Sequence, residues 1–354
     1  MLPQPNPLLG TTLHSIGAAS AALCYTPQKY LHKWSWQTYW LAQAFWCWLA
    51  LPWIVAWLLI PDLGQLVSAA PSGAILRSYL FGALYGVGGI AFGVSIRYIG
   101  FSLTYAVAIG VSCVLGTLWD PIENGQLGQL LGKQGAYYVI GGVVLGAVAM
   151  LMTGIAGLSK ERELATGGAK PDFRPRIGLP ICLLAGVLSA VYNKALSAGG
   201  PLVEIAQAQG GGQFSFLAQY LFSNPGAFTT SLLYVAWLAA RDKSWAEFGR
   251  TADGTGLARN YLLALATGLM WYAQFFFYGL GHDRMGVLGF SSWAIHMTIL
   301  ILLSCGFGVV IGEWKACRPS TKWMITGAVA LLFAAVGLLT YGNYLAAPLP
   351  AAPH

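Results

Sequence analysis

Residues 160–176 read KERELATGGAKPDFRPR, the densest charged stretch in a chain that elsewhere holds few charges. Apolar runs flank it at 136–157 and 177–198. Each is long enough to cross a hydrocarbon layer as a helix, which takes about 20 residues. Further such runs lie outward on both sides, at 9–29, 39–60, 76–97 and 101–119, and at 216–239, 258–281, 287–312 and 322–345. The charged stretch therefore divides ten runs into five and five. A half with an odd number of spans ends on the side opposite to its start, so the second half enters the membrane inverted. The expected fold is an all-α membrane protein of ten transmembrane helices. Two inverted five-helix repeats, 1–157 and 177–354, are joined by a charged cytoplasmic linker at 158–176, with a short C-terminal tail.

Composition agrees. Of the 354 residues 56% are hydrophobic and 9% charged, where an average soluble domain is about one quarter charged. A water-soluble globule, a disordered chain and a coiled coil are all excluded. The net charge of +7 is a matter of topology. The loops after the first, third, fifth, seventh and ninth runs, with their helix ends, hold 15 of the 19 Lys and Arg. Positive residues are retained in the cytoplasm, so both termini are expected outside, the charge runs are solvated cytoplasmic loops, and no nucleic-acid partner is implied. Residues 1–10 carry no Lys or Arg, so the start of a cleavable signal peptide is missing and the first helix stays. The six cysteines stand singly, with no metal-ligand spacing and no disulfide framework. No cofactor or metal is expected.

A weak repeat crosses the centre. Gly17-x-x-Ser20-Ala21 recurs as Gly186-x-x-Ser189-Ala190. At one constant offset Gly82, Tyr85, Phe92, Gly93 and Gly100 fall on Gly268, Trp271, Tyr278, Gly279 and Gly286. Pro52 interrupts the second run, and Asn224-Pro225-Gly226 interrupts its counterpart, the seventh. Proline removes a backbone donor, tolerable in lipid where protein or a wet cavity satisfies the freed carbonyl. Inverted repeats with paired interruptions imply alternating access around a small wet chamber near the midplane; simple kinks that shape the bundle are the other reading. Gly82, Gly86, Gly89 and Gly93 give the third helix a smooth face suited to close packing, and to sliding.

Trp271, Gln274, Phe275, Tyr278 and His282 form one stripe of the eighth helix. Aromatic faces pack on the C–H surface of a sugar while an amide and a phenol bond its hydroxyls; an aromatic packing seam is the plainer alternative. Trp293 and His296 follow on the ninth helix, His14 and Tyr25 on one face of the first, and Tyr192, Asn193 and Lys194 on the sixth. Lys194 is close enough to its helix end to snorkel. An ionisable group in a membrane is a functional candidate. With no Asp or Glu at a helix centre, the candidates for handling protons are His14, His296 or one of the edge carboxylates Asp120, Glu123, Glu204 and Asp283, a plain core role being the other reading of either histidine.

HSIGAASAALCYTPQKYLHKWSWQTYW (14–40), GLMWYAQFFFYGLGH (268–282) and SSWAIHM (291–297) resemble the bacterial L-rhamnose–proton symporter family, within the drug/metabolite transporter superfamily. The likeness extends over nearly the whole chain. It implies proton-driven uptake of L-rhamnose across the bacterial inner membrane, with His14, Tyr25, Trp271, Gln274 and His296 in matching motifs. Gly89, Ala91, Phe92 and the Asn193-Lys194 pair depart from the family pattern, which bears on the identity of the sugar. The expected function is therefore a monomeric secondary active sugar transporter whose partners are a 6-deoxyhexose, protons and the bilayer. An exporter or facilitator of another solute on the same scaffold is the nearest alternative. A membrane-embedded transferase would need a carboxylate, metal or nucleophile constellation, and Asp120 with Glu123 is the one tight acid pair outside the charged loops. A sugar sensor would need a soluble output domain.

Overall fold

The computed structural model describes residues 4–166 and 173–347. Lys170, the middle of the charged linker and the last residues of the C-terminal tail lie outside them. Among the described residues every regular element is helical. The first half holds α1 (Pro7–Leu23), α2 (Trp36–Ala44), α3 (Leu51–Leu59), α4 (Leu63–Ala69), α5 (Ser72–Ile99), α6 (Phe101–Glu123), α7 (Leu127–Leu131) and α8 (Ala136–Thr166). The second holds α9 (Pro175–Ala198), α10 (Gly200–Ala208), α11 (Tyr220–Arg241), α12 (Leu257–His282), α13 (Ser292–Val310) and α14 (Pro319–Ala346). All ten apolar runs are helical, and eight helices are long and apolar enough to cross a membrane. α1, with 17 residues, and α11 are not among the eight.

The chain forms two compact units. Among the described residues the first comprises 20–90 and 191–276, the second 4–19, 91–166, 173–190 and 277–347. Each draws on both halves of the sequence. α5, α9 and α12 each contribute residues to both units.

Proline and glycine set the boundaries. Pro319 opens α14 at the helix start, where its missing N–H costs nothing, and Gly100, at φ 80°, separates α5 from α6. Pro27 ends the first run early. α1 stops at Leu23 and a 3-10 turn, Thr26–Tyr30, follows, so Tyr25 lies past the helix and does not continue the face of His14. Pro52 does not break its helix either. It follows a π-helical turn, Phe45–Ala50, in which the Leu51 N–H reaches back to the Trp46 carbonyl. Pro225 is accommodated inside a continuous α11, so the expected interruption is absent there.

In the first unit α5 and α11 pass backbone to backbone. A Cβ on Gly82 would stand 1.9 Å from the Ser223 carbonyl oxygen, and one on Gly226 2.1 Å from that of Tyr79. The Thr230 hydroxyl donates to the Ala83 carbonyl at 2.8 Å across the same crossing. The glycine face expected to slide is thus a reciprocal notch. The carboxylate of Glu247 holds the start of α2, accepting from the Ser35 N–H at 2.7 Å, the Ser35 hydroxyl at 2.7 Å and the Thr38 hydroxyl at 2.8 Å. An anion there also meets the positive end of the helix dipole.

The second unit packs α6, α8, α13 and α14 together. One charged stretch departs from the solvated loop expected of it. Helix-favouring Glu, Arg, Leu and Ala carry α8 on to Thr166. This turns Lys160 and Glu161 inward, 1% and 3% exposed. The Lys160 ammonium pairs with Glu313, stands 3.6 Å from Glu161 and lies 4.9 Å over the Trp314 ring.

Candidate functional site

The residues singled out by the sequence sort into two clusters, one in each unit. In the first unit Trp271 is the hub. Its ring meets Tyr25 at 5.3 Å, Trp40 at 5.7 Å and Trp48 at 5.2 Å, all edge to face. Such pairs contribute about 1 kcal/mol each beyond their burial, which fixes the indole. Trp48 continues to Tyr85 at 5.9 Å, and Tyr85 lies against Tyr192 at 4.3 Å. The Tyr192 phenol donates to Oδ1 of Asn224, and its ring meets Phe275 at 5.3 Å. Asn193, one position along, is half-buried, as is Lys194. Gln274 is half-buried, and its side-chain amide makes no hydrogen bond among the described residues. The cluster joins broad aromatic faces to phenols and the Asn224 amide, and no charged side chain takes part in these contacts.

Trp40, Trp48, Tyr85 and Asn224 are not among the site candidates that the sequence offers, although Tyr85 stands in the repeat and Asn224 in the Asn-Pro-Gly interruption. Trp40 and Trp48 are eight residues apart, which puts them about 80° out of phase on a regular α-helix. The π-helical turn Phe45–Ala50 has wider spacing and brings both rings to Trp271. The proline that follows the turn is the one signal in the sequence that could have found it.

In the second unit Tyr278 is the hub. Its ring meets His14 at 5.3 Å, His296 at 5.5 Å, Trp293 at 5.6 Å and His282 at 5.9 Å. His14 and His296 are 5.7 Å apart, edge to face. Among the described residues neither ring nitrogen of the fully buried His14 has a hydrogen-bond partner, nor has Nδ1 of His296. A Cβ on Gly281 would stand 3.0 Å from His14 Nε2, so glycine makes the room for that imidazole. Imidazole is the side chain whose ordinary protonation range is nearest neutrality, and two of them meet here on one phenol. Trp293 is differently placed. Its indole N–H is already committed to the Ser112 carbonyl at 2.9 Å, leaving only its face. Just past the end of α12, burial raises the Asp283 carboxyl to about 6 against the opposing pull of Arg284. Among the described residues no group of His, Cys, Asp and Glu is arranged to hold a metal ion.

Comparison with known proteins adds the family. Residues 5–342 match the L-rhamnose-proton symport protein family. The chain is 34% identical over 340 residues to the L-rhamnose-proton symporter of Pectobacterium atrosepticum, a match covering 94% of this chain and 98% of that protein. The symporters of Mannheimia succiniciproducens and Yersinia pestis are equally similar at 34%, with 94% of this chain and 97% of each relative covered. Both ring clusters fall inside the matched span. A helical chain with eight membrane-length helices, matched from end to end, is a multi-pass membrane protein, and it belongs to the L-rhamnose-proton symport protein family.

Proposed function

We propose that this protein imports L-rhamnose, or a close 6-deoxyhexose, together with protons across the bacterial inner membrane. The observation that carries the reading is the end-to-end match to proteins named as L-rhamnose-proton symporters. The two ring clusters supply chemistry for both transported species. The sugar stacks its C–H face on Trp271, beside Tyr25 and Tyr192, and hydrogen-bonds to the amide of Gln274, with Asn193 at the edge of the site. His14 or His296 carries the proton, and Tyr278 and Trp293 hold those imidazoles in place. Protonation then favours the switch between outward-open and inward-open states in an alternating-access cycle.

The scaffold that goes with this reading has ten spans, α1 and α11 supplying the two beyond the eight. They form inverted five-helix repeats with both termini outside, as in the drug/metabolite transporter superfamily, and the protein works as a monomer in the bilayer. The test is uptake of labelled L-rhamnose into proteoliposomes under an imposed proton gradient. Accumulation is expected, with collapse on adding a protonophore. Gln274→Ala is expected to lower uptake at least tenfold at unchanged yield of folded protein. Uptake indifferent to the gradient would remove the proton from the cycle, and unchanged uptake by Gln274→Ala would remove that amide from the site.

A further inference from the structure

Among the described residues of the first unit, buried polar atoms of Gln43, Trp48, Gln209, Asn224 and Tyr272 have no hydrogen-bond partner, and two of these residues, Trp48 and Asn224, are tied into one run of ring contacts. The indole N–H of Trp48 and the Nδ2 amide of Asn224 are enclosed, both residues being 0% exposed, and neither atom meets a hydrogen-bond partner among the described residues. A buried donor left unpaired costs about 1–3 kcal/mol, and native structures tolerate few of them without a ligand, water or functional reason. These two stand at the ends of one run of rings. Trp48 leads to Tyr85, Tyr85 to Tyr192, and the Tyr192 phenol holds Oδ1 of Asn224, which leaves Nδ2 as the open end of that amide.

Each donor also lies on a helix that carries a proline. Pro52 follows Trp48 by four residues, just past the π-helical turn, and brings no N–H to that helix; Pro225 directly follows Asn224 and withholds the regular helical donor from the Leu221 carbonyl. The two prolines flagged by the sequence therefore mark the two helices on which polar groups are left open. Every side chain in the run is uncharged, so the complementary ligand is a neutral molecule with hydroxyls on one edge and C–H on its face.

We propose that Trp48 and Asn224 are the hydroxyl-reading residues of the sugar site, each donating to one oxygen of a pyranose laid along the Trp271, Tyr85 and Tyr192 rings. The assignment rests on the transport reading above and names residues that reading does not contain. Sites that hydrogen-bond a substrate hydroxyl reject the analogue lacking it, because their own donor is then left buried and unpaired.

The experiment measures binding and uptake of L-rhamnose and of its analogues lacking one hydroxyl, with purified protein in proteoliposomes. The wild type is expected to lose roughly ten- to a hundredfold in affinity for the analogue missing a read hydroxyl. Trp48→Phe keeps a ring and deletes the N–H, and Asn224→Leu keeps the volume and deletes the amide. Each is expected to raise KM for L-rhamnose by about tenfold with little change in turnover, and to lose discrimination against one analogue only. That one-to-one loss is a readout a structural role would not move. Wild-type protein that binds every analogue as tightly as L-rhamnose overturns the proposal, as do variants that keep the wild-type selectivity. Should neither variant fold, the wild-type analogue series decides. Protein that carries L-rhamnose but reads no hydroxyl refutes this assignment; protein that carries no 6-deoxyhexose refutes the transport reading itself.

Discussion

Asp283 shows how a single side chain near the histidine cluster ties stability to pH. Burial raises its carboxyl to about 6, above the value near 3.9 expected in an unfolded chain. The native state therefore binds the proton more tightly than the unfolded one. The stabilisation that follows is complete below about pH 4 and is lost as pH rises through about 6. Asp283→Asn is expected to flatten thermal stability across that window and, at pH 7.5, to melt a few degrees above the wild type; identical pH profiles would show the carboxyl to be solvated. The candidate site residues of α12 were legible for a different reason. Trp271, Gln274 and Tyr278 fall on one stripe of a regular helix, and that periodicity survives in α12. Trp48 was hidden because its phase relative to Trp40 depends on a π-helical turn, and Asn224 because a proline beside it read as an interruption and not as a partner of Tyr192.

Helices were legible where apolar length decided them, and less so where local chemistry did. All ten runs fold as helices, but α8 runs past the expected linker boundary at 158 because Lys-Glu-Arg-Glu-Leu-Ala is a good helix sequence with buried partners available. The short helices α4, α7 and α10 went unseen, since at 7, 5 and 9 residues they lie below the span length that guided the reading. The α5–α11 crossing makes a sharp prediction at this scale. Gly82→Val or Gly226→Val forces a side chain into a backbone carbonyl and is expected to abolish folded protein, judged by monodisperse yield in detergent. Gly141→Ala, in α8, meets nothing within 4 Å and is expected to leave yield and melting temperature unchanged or slightly higher. Equal yields from the valine variants and the alanine control would show that the helices can part.

Across the whole molecule, the basic residues predict which loops face the cytoplasm, and the thiols make that easy to test. All six cysteines are buried, so a cysteine added at an exposed loop stands out against a quiet background. Asn124→Cys, after α6, is expected to react with a membrane-impermeant maleimide in intact cells, and Ala252→Cys, before α12, only after permeabilisation. The reverse pattern would invert the topology. What the sequence could not convey is the composition of the compact units, because contact partners come from both halves and nothing in a linear repeat records them. The Gly82–Gly226 seat has a mechanical consequence at this scale. With main chain resting on main chain there is no cushion of rotamers to absorb slippage, so α5 and α11 form a permanently engaged clutch. In the proposed cycle any swing carries the pair as one lever, and its compliance lies away from the crossing.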